Sequence, residues 1–286
     1  MAHDHGHHGH GHGPDHGHQH GHGDGNLAQM LDLDAVVLHD FYREVIGWAG
    51  SLVAGDPRIV DLGAGTGVGT FALARALPGA QVTAVDMDED MLGRIRHRAA
   101  AEGLGDRVRT VRADLDGDWP ELGPADLVWA SASMHHLADP ARTLAQIHAT
   151  LRPGGALMIT ELDAFPTFLG GSADAALEER CHAVLARLRL EAGMHMGEDW
   201  GARLKAAGFD PEGERRFDIE LRAPLPDQAV RYAQVTLERT RHRIEEHLTG
   251  DDVARLDAIV ATLPERPDLT IRATRDVWIG RRPANA

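Results

Sequence analysis

The segment that most constrains this chain is Ile59-Val60-Asp61-Leu62-Gly63-Ala64-Gly65-Thr66-Gly67-Val68-Gly69. An apolar run enters a glycine-rich turn. Phe71, Leu73, Ala74 and Leu77 then recur at helical spacing until Pro78-Gly79 ends the pattern. This order predicts a buried parallel strand, a tight turn and a helix. Glycine opens backbone conformations and close approaches that other residues refuse, so bare N–H groups and a helix N-terminus are expected to face a ligand here.

The dinucleotide fingerprint needs glycine at the first, third and sixth positions of such a turn. Counting from Gly63 the sixth residue is Val68, and counting from Gly65 it is Thr70, so neither frame fits. The chain instead reads D-L-G-A-G-T-G, with a carboxylate two residues before the first glycine. This resembles motif I of the class I S-adenosylmethionine-dependent methyltransferases. Their ligand joins an amino acid, a sulfonium and an adenosine. An acid ahead of the turn suits the cationic amine and sulfonium and would repel a phosphate. The resemblance implies cofactor contacts from Asp61, Gly63, Ala64, Gly65 and Gly67.

Downstream segments fit the same frame. Gln81-Val82-Thr83-Ala84-Val85-Asp86 reads as a second strand ending in an acid, about twenty residues past the glycines, where a carboxylate accepts the ribose hydroxyls of either NAD or S-adenosylmethionine. The strand–helix–strand order implies a right-handed crossover. Asp88 is placed to cap the next helix, and Met87 and Met91 are counted with the cofactor-binding residues. Arg107 to Arg112 alternates like a third strand and leads into Ala113-Asp114-Leu115. That resembles the family's adenine-side motif, which implies that Asp114 accepts from the exocyclic amine while the Leu115 N–H meets a ring nitrogen. Asp116 and Asp118 are rivals for the acid.

Ala125 to Ser131 reads as a fourth strand, followed by Ala132-Ser133-Met134-His135-His136-Leu137. This resembles the branch that methylates small molecules, in which a paired histidine is common. Ala130 and Ser131 would line the cofactor pocket. His135 and His136 either supply a general base or hold the loop. Leu151-Arg152-Pro153-Gly154-Gly155-Ala156-Leu157 resembles a further, architectural signature. The resemblance is close from about Asp56 to Glu161 and loose beyond.

The expected fold is α/β: a Rossmann-like, doubly wound, seven-stranded sheet over residues 27–286, with a helical cap and insertions. Residues 27–55 read as cap helices broken at Gly47. Within them, Phe41, Tyr42 and Trp48 wall the pocket or pack on the sheet edge. Residues 166–197 read as a lid insertion, with the Met194-His195-Met196 group facing the pocket or filling core. Residues 226–263 read as a helical excursion that covers the pocket or forms a homodimer surface. Arg239, Arg241 and Arg243 are assigned to solvent there, although one turned inward would suit a carboxylate substrate. Leu269 to Gly280 reads as a last, antiparallel strand.

Residues 1–26 are a different polymer. His3, His5, His7, His8, His10, His12 and further histidines alternate with Gly and Asp, with almost nothing apolar to bury, so disorder is expected. Imidazole at this density would bind Zn, Ni, Co or Cu. A catalytic metal is not expected on so unconstrained a segment. Of 286 residues the net charge is −15, which argues against a nucleic-acid backbone as partner. One cysteine, Cys181, rules out an intrachain disulfide and suits the cytoplasm. No signal peptide and no apolar run of spanning length is seen, so no membrane partner is expected.

The implied reaction is transfer of the sulfonium methyl to an O, N, S or C nucleophile on a small molecule, achieved by alignment with at most an assisting histidine. Two rivals stay open: a nucleotide-dependent oxidoreductase, and a metal-handling protein whose sheet senses S-adenosylmethionine.

Overall fold

Apolar strands and amphipathic helices alternate through most of the chain, and the computed structural model, which describes residues 23–170 and 174–284, folds them onto one sheet. The histidines assigned to metal, His3 to His12, lie outside the described residues. In chain order the elements are α1 (Gly23–Val37), α2 (His39–Ser51), β1 (Arg58–Leu62), α3 (Val68–Ala76), β2 (Gln81–Asp86), α4 (Glu89–Ala101), β3 (Val108–Arg112), β4 (Ala125–Ser131), α5 (Pro140–Thr150) and β5 (Leu151–Leu162). Then come α6 (Ala175–Glu191), α7 (Trp200–Ala206), β6 (Asp210–Arg222), α8 (Asp227–Ile244), α9 (Gly250–Thr262) and β7 (Thr270–Arg281).

The strand order is β3-β2-β1-β4-β5-β7-β6. The first five strands pair in parallel, and β7 runs antiparallel to both β5 and β6. The order reverses between β1 and β4, so a crevice opens at their carboxyl ends. Both sheet faces are buried, and successive residues feed opposite cores. Ile59, Leu127, Trp129 and Met158 join one cluster with α1–α4, α6, α8 and α9, whereas Val60, Val128, Leu157 and Ile159 join the other with α5 and α7.

The caps follow local chemistry. Asp88 accepts from the N–H groups of Asp90 and Met91, Asp139 from Arg142 ahead of Pro140, and Thr249 from Asp252. The N-terminal region departs from expectation. Its break falls at Leu38, and α2 continues through Gly47 because Val45, Ile46 and Ala49 on either side bury one continuous face. Burial there outweighs the roughly 1 kcal/mol cost of a helical glycine. Helix α1 also starts at Gly23, inside the stretch expected to be disordered.

One buried carboxylate ties α1 to the rest. Asp34 accepts from Tyr42 on α2 at 3.0 Å, from Tyr232 on α8, and from the Arg275 guanidinium on β7 at 2.8 Å. Burial and the Asp34 charge hold both phenols well above the ordinary tyrosine range. A second buried acid, Glu178 on α6, accepts the backbone N–H groups of Phe168 and Leu169 at 2.9 Å and fastens the chain after β5 to α6.

Candidate active site

The turn after β1 takes the conformation its glycines permit. Gly63, Gly65 and Gly67 have φ of 68°, 51° and 81°. A Cβ on Gly63 would stand 2.5 Å from the Ser133 Cβ, so the turn packs directly on the loop after β4. Several of the N–H groups expected to be bare are already taken. Those of Gly63 and Ala64 donate to the Val85 carbonyl, that of Gly65 to the Asp86 carboxylate at 2.8 Å, and that of Gly67 to the Ala64 carbonyl. The start of α3 is also taken: Asp61, 2% exposed, accepts the Thr70 hydroxyl at 2.6 Å and the Thr70 backbone N–H. The place where a dinucleotide lays its pyrophosphate thus already holds an anion. Burial, then the nearby Asp86 charge, push the Asp61 carboxyl up to about 6 against the bonds from Thr70.

A cavity of about 900 Å³ runs from this turn to α8. Of the residues the sequence assigned to the cofactor, Asp61, Gly63, Ala64, Gly65 and Ser131 line it. The other assigned residues lie outside its wall. Gly67 packs on Ile95, and Ala130 and Met91 are buried in core. Asp86 is half-buried at the end of β2, with one oxygen accepting from Gly65 and the other from the Asp88 N–H at 3.0 Å. Each oxygen keeps a lone pair for a sugar hydroxyl. Met87 is 63% exposed beside it. Asp114 is exposed and accepts the Asp116 N–H, and Leu115 is half-buried. The rival Asp116 is occupied, accepting the Ala138 N–H at 2.8 Å.

The paired histidines differ. His135 is 4% exposed, and its Nδ1 lies 2.6 Å from Oε2 of Glu161, the acid near the end of β5. The other Glu161 oxygen accepts the backbone N–H groups of Met134 and His135. The loop is further strained at Ala132, a non-glycine at φ 53°, held by its N–H to the Thr160 carbonyl at 2.7 Å. His136 stacks on His135 with ring centroids 4.1 Å apart. Burial, then repulsion from His135, Arg189 and Arg243, push it down to about 4, so its ring is neutral at pH 7. Both rings line the cavity.

Of the cap aromatics, Phe41 and Tyr42 line the cavity, whereas Trp48 packs against Gly213 on β6. The Met194-His195-Met196 group lies off the cavity wall, and His195 instead pairs with Glu198 at 3.4 Å. The assignment of three arginines to solvent is corrected in part. Arg239 is half-buried and, with the exposed Arg243, lines the cavity, while Arg241 is half-buried and pairs with Glu245 and Asp257. Sequence reasoning missed Asp34, Thr70, Arg189 and Tyr232. Of these only Asp34, an acid among apolar residues on a helix, carried a visible signal.

A charged, polar cofactor fits what is present. Among the described residues, the cavity-lining atoms Thr66 Oγ1, Trp129 Nε1, Thr160 Oγ1 and Thr236 Oγ1 are buried without a hydrogen-bond partner, and such groups need a ligand or water. With Asp61 at the turn and Asp86 at the rim, the donor set favours a cation and a sugar over a phosphate.

Comparison with known proteins agrees. Residues 59–155 match the family model described as a methyltransferase domain. The nocamycin O-methyltransferase of Saccharothrix syringae is 33% identical over 211 residues, covering 67% of this chain and 73% of that protein. The 27-O-demethylrifamycin SV methyltransferase of Amycolatopsis mediterranei is 30% identical over 193 residues, 67% of each chain. Several other curated relatives match more locally, and the chain spans only 25% to 44% of their length. Among solved structures, a Bacillus halodurans C-125 protein described as a methyltransferase aligns with a TM-score of 0.56 at 19% identity, covering 85% of this chain and 98% of that one, which speaks to the fold. With the turn, the rim acid and these relatives in agreement, the chain belongs to the class I S-adenosylmethionine-dependent methyltransferases.

Proposed function

We propose that this methyltransferase acts on a small molecule that enters the cavity between the glycine turn and α8. The observation that carries the proposal is the cavity itself: about 900 Å³, walled by α1, α2, α6 and α8, with room beyond the turn for a compact acceptor. A net charge of −15 also disfavours nucleic acid. The relatives named for rifamycin and nocamycin support a small-molecule acceptor, and the nocamycin enzyme is named for transfer to oxygen.

S-adenosylmethionine would supply an activated methyl group on a sulfonium. Asp86, Asp114 and the Leu115 N–H are proposed to hold its nucleoside, with Met87 beside the base, and Asp61 with Gly63, Ala64, Gly65 and Ser131 to hold the amino-acid end, while Gly67, Ala130 and Met91 shape the turn and core behind them. The helices over the crevice exclude water and fix the acceptor, which is most of what such a transfer requires. His135 is the proposed base. Nδ1–H donation to Glu161 leaves Nε2 as the proton acceptor, the carboxylate-oriented arrangement that serves general-base histidines elsewhere. His136, pushed down to about 4, is too weak a base for that work and serves as a neutral polar wall.

Two measurements test this reading. In calorimetry, S-adenosylhomocysteine binds and NADH does not; tight binding of NADH alone overturns it. After incubation of a cell extract with methyl-labelled cofactor, label appears in dialysable material; label confined to protein or nucleic acid refutes the small-molecule acceptor. The histidine-rich N-terminal segment is proposed to chelate Zn, Ni, Co or Cu apart from the reaction. Methyl transfer therefore persists after its deletion and in chelator, and loss of transfer on either treatment restores the metal-handling alternative.

A further inference from the structure

One stretch of the cavity wall, near His136, is cationic, and none of the proposed cofactor contacts uses it. Arg189 on α6 is 7% exposed yet lines the cavity, and its Nε has no hydrogen-bond partner. No carboxylate is within ion-pairing distance of it among the described residues; its guanidinium carbon lies 3.5 Å from the centroid of the Phe165 ring, a second wall of the cavity. Arg243 on α8 is exposed, lines the same space and makes no ion pair among the described residues. Burial and repulsion from Arg243 push Arg189 down to about 10 against the attraction of the Glu161 charge, which lies beyond ion-pairing distance and is taken by His135. The acids that share the cavity are not its partners. Asp34 is bound by Arg275 and Asp61 by Thr70, and Glu238 on α8 makes no ion pair with Arg189.

Sequestering a guanidinium from water without a directly paired counter-ion is costly, and removing that cost is what an anionic ligand does. A guanidinium edge, Nε–H beside Nη–H, matches the two oxygens of a carboxylate. We propose that the acceptor carries a carboxylate, received by Arg189 inside the cavity with Arg243 at its mouth. This rests on the methyl-transfer reading and narrows its substrate class. Phe165, against which Arg189 stacks, offers an apolar face to the body of the same molecule.

The cofactor has a carboxylate of its own, and the experiment separates the two. The full chain and its Arg189→Gln and Arg189→Lys variants are titrated with S-adenosylhomocysteine by calorimetry. Each cofactor-saturated protein is then titrated with benzoate, the isosteric neutral benzamide, and inorganic phosphate. Expected are cofactor affinities equal within about threefold across the variants. Benzoate should bind wild type about tenfold or more tighter than benzamide, a preference abolished by Gln and partly kept by Lys. The proposal is overturned by equal binding of benzoate and benzamide, by a preference that survives Arg189→Gln, or by phosphate binding tighter than benzoate. It is also overturned if Arg189→Gln weakens S-adenosylhomocysteine itself tenfold, since the guanidinium then serves the cofactor. If wild type binds no S-adenosylhomocysteine, the methyl-transfer reading fails instead. Should Arg189→Gln not fold, Arg243→Gln is titrated. A threefold or greater loss of benzoate preference with intact cofactor affinity supports the proposal, and no loss overturns it.

Discussion

Replacing Asp61 by Asn should make the ligand-free protein more stable at neutral pH while weakening its hold on the cofactor. Asp61 is 2% exposed, and burial raises its carboxyl from 3.8 to about 6. Below about pH 4 the group is protonated in folded and unfolded chains alike and costs nothing. Between about pH 4 and pH 6 the unfolded chain gives up its proton first, so stability falls as pH rises. Above about pH 6 the full difference, roughly 3 kcal/mol, is set against the fold. An Asn side chain cannot ionise and still accepts the Thr70 hydroxyl, but its amide must find an acceptor, which returns about 1–2 kcal/mol. The net gain of about 1–2 kcal/mol corresponds to a rise in Tm of about 2–3 °C for a chain of this size. Thermal unfolding of ligand-free wild type and Asp61→Asn, followed by circular dichroism at about pH 7.5 and about pH 4.5, measures it. The gain should shrink toward zero at the lower pH. In calorimetry, S-adenosylhomocysteine should bind the variant about tenfold or more weakly, its ammonium having lost an anionic partner. A variant no more stable than wild type at about pH 7.5, or a difference that does not change with pH, would refute the linkage reasoning. Strong binding and a destabilised empty site would then share one cause, the familiar trade between stability and activity.

Three further outcomes follow from the geometry. Asp34→Ala strands the buried Arg275 guanidinium and two phenols, so denaturant unfolding should report a loss of about 3–5 kcal/mol, and a loss below about 1 kcal/mol would contradict the tie. Asp86→Ala removes a carboxylate that binds two backbone N–H groups of the chain as well as the proposed ribose. S-adenosylhomocysteine affinity should fall by about 1.5–3 kcal/mol, and an unchanged value would displace the ribose from this site. Glu161→Gln should lower kcat about a hundredfold or more with cofactor affinity held, and should shift the pH profile. His136→Asn should move kcat little, because that ring is neutral already, and the reverse pattern would transfer the base role to His136.

Much of the fold was legible in sequence because burial on both sheet faces writes strands as short apolar runs with clear ends. Gln81–Asp86 and Ala125–Ser131 are the observed strands to the residue. The cap at Asp88 was legible because its side chain acts on its own next turn. What failed depended on contacts between distant segments. Gly47 reads locally as a break, and only the packing of α2 keeps it helical. The N–H groups of the glycine turn look bare until Val85 and Asp86, from the next strand, claim them. Arg189 sits in a helix amid other charged residues, and its burial arises only when α6 closes over the loop carrying Phe165. Arg239 and Arg243 share α8 with solvated neighbours, so sequence spacing alone could not assign them to the cavity.

The junction at Asp34 bears on how fast anything can leave. Four stretches of chain, from both ends of the molecule, converge on that one carboxylate, so peeling α1 off the crevice abandons a guanidinium and two hydroxyls together. At about 3–5 kcal/mol, fewer than roughly one molecule in a hundred stands open on that side at any instant. Any product leaving along that route must wait for this rare excursion.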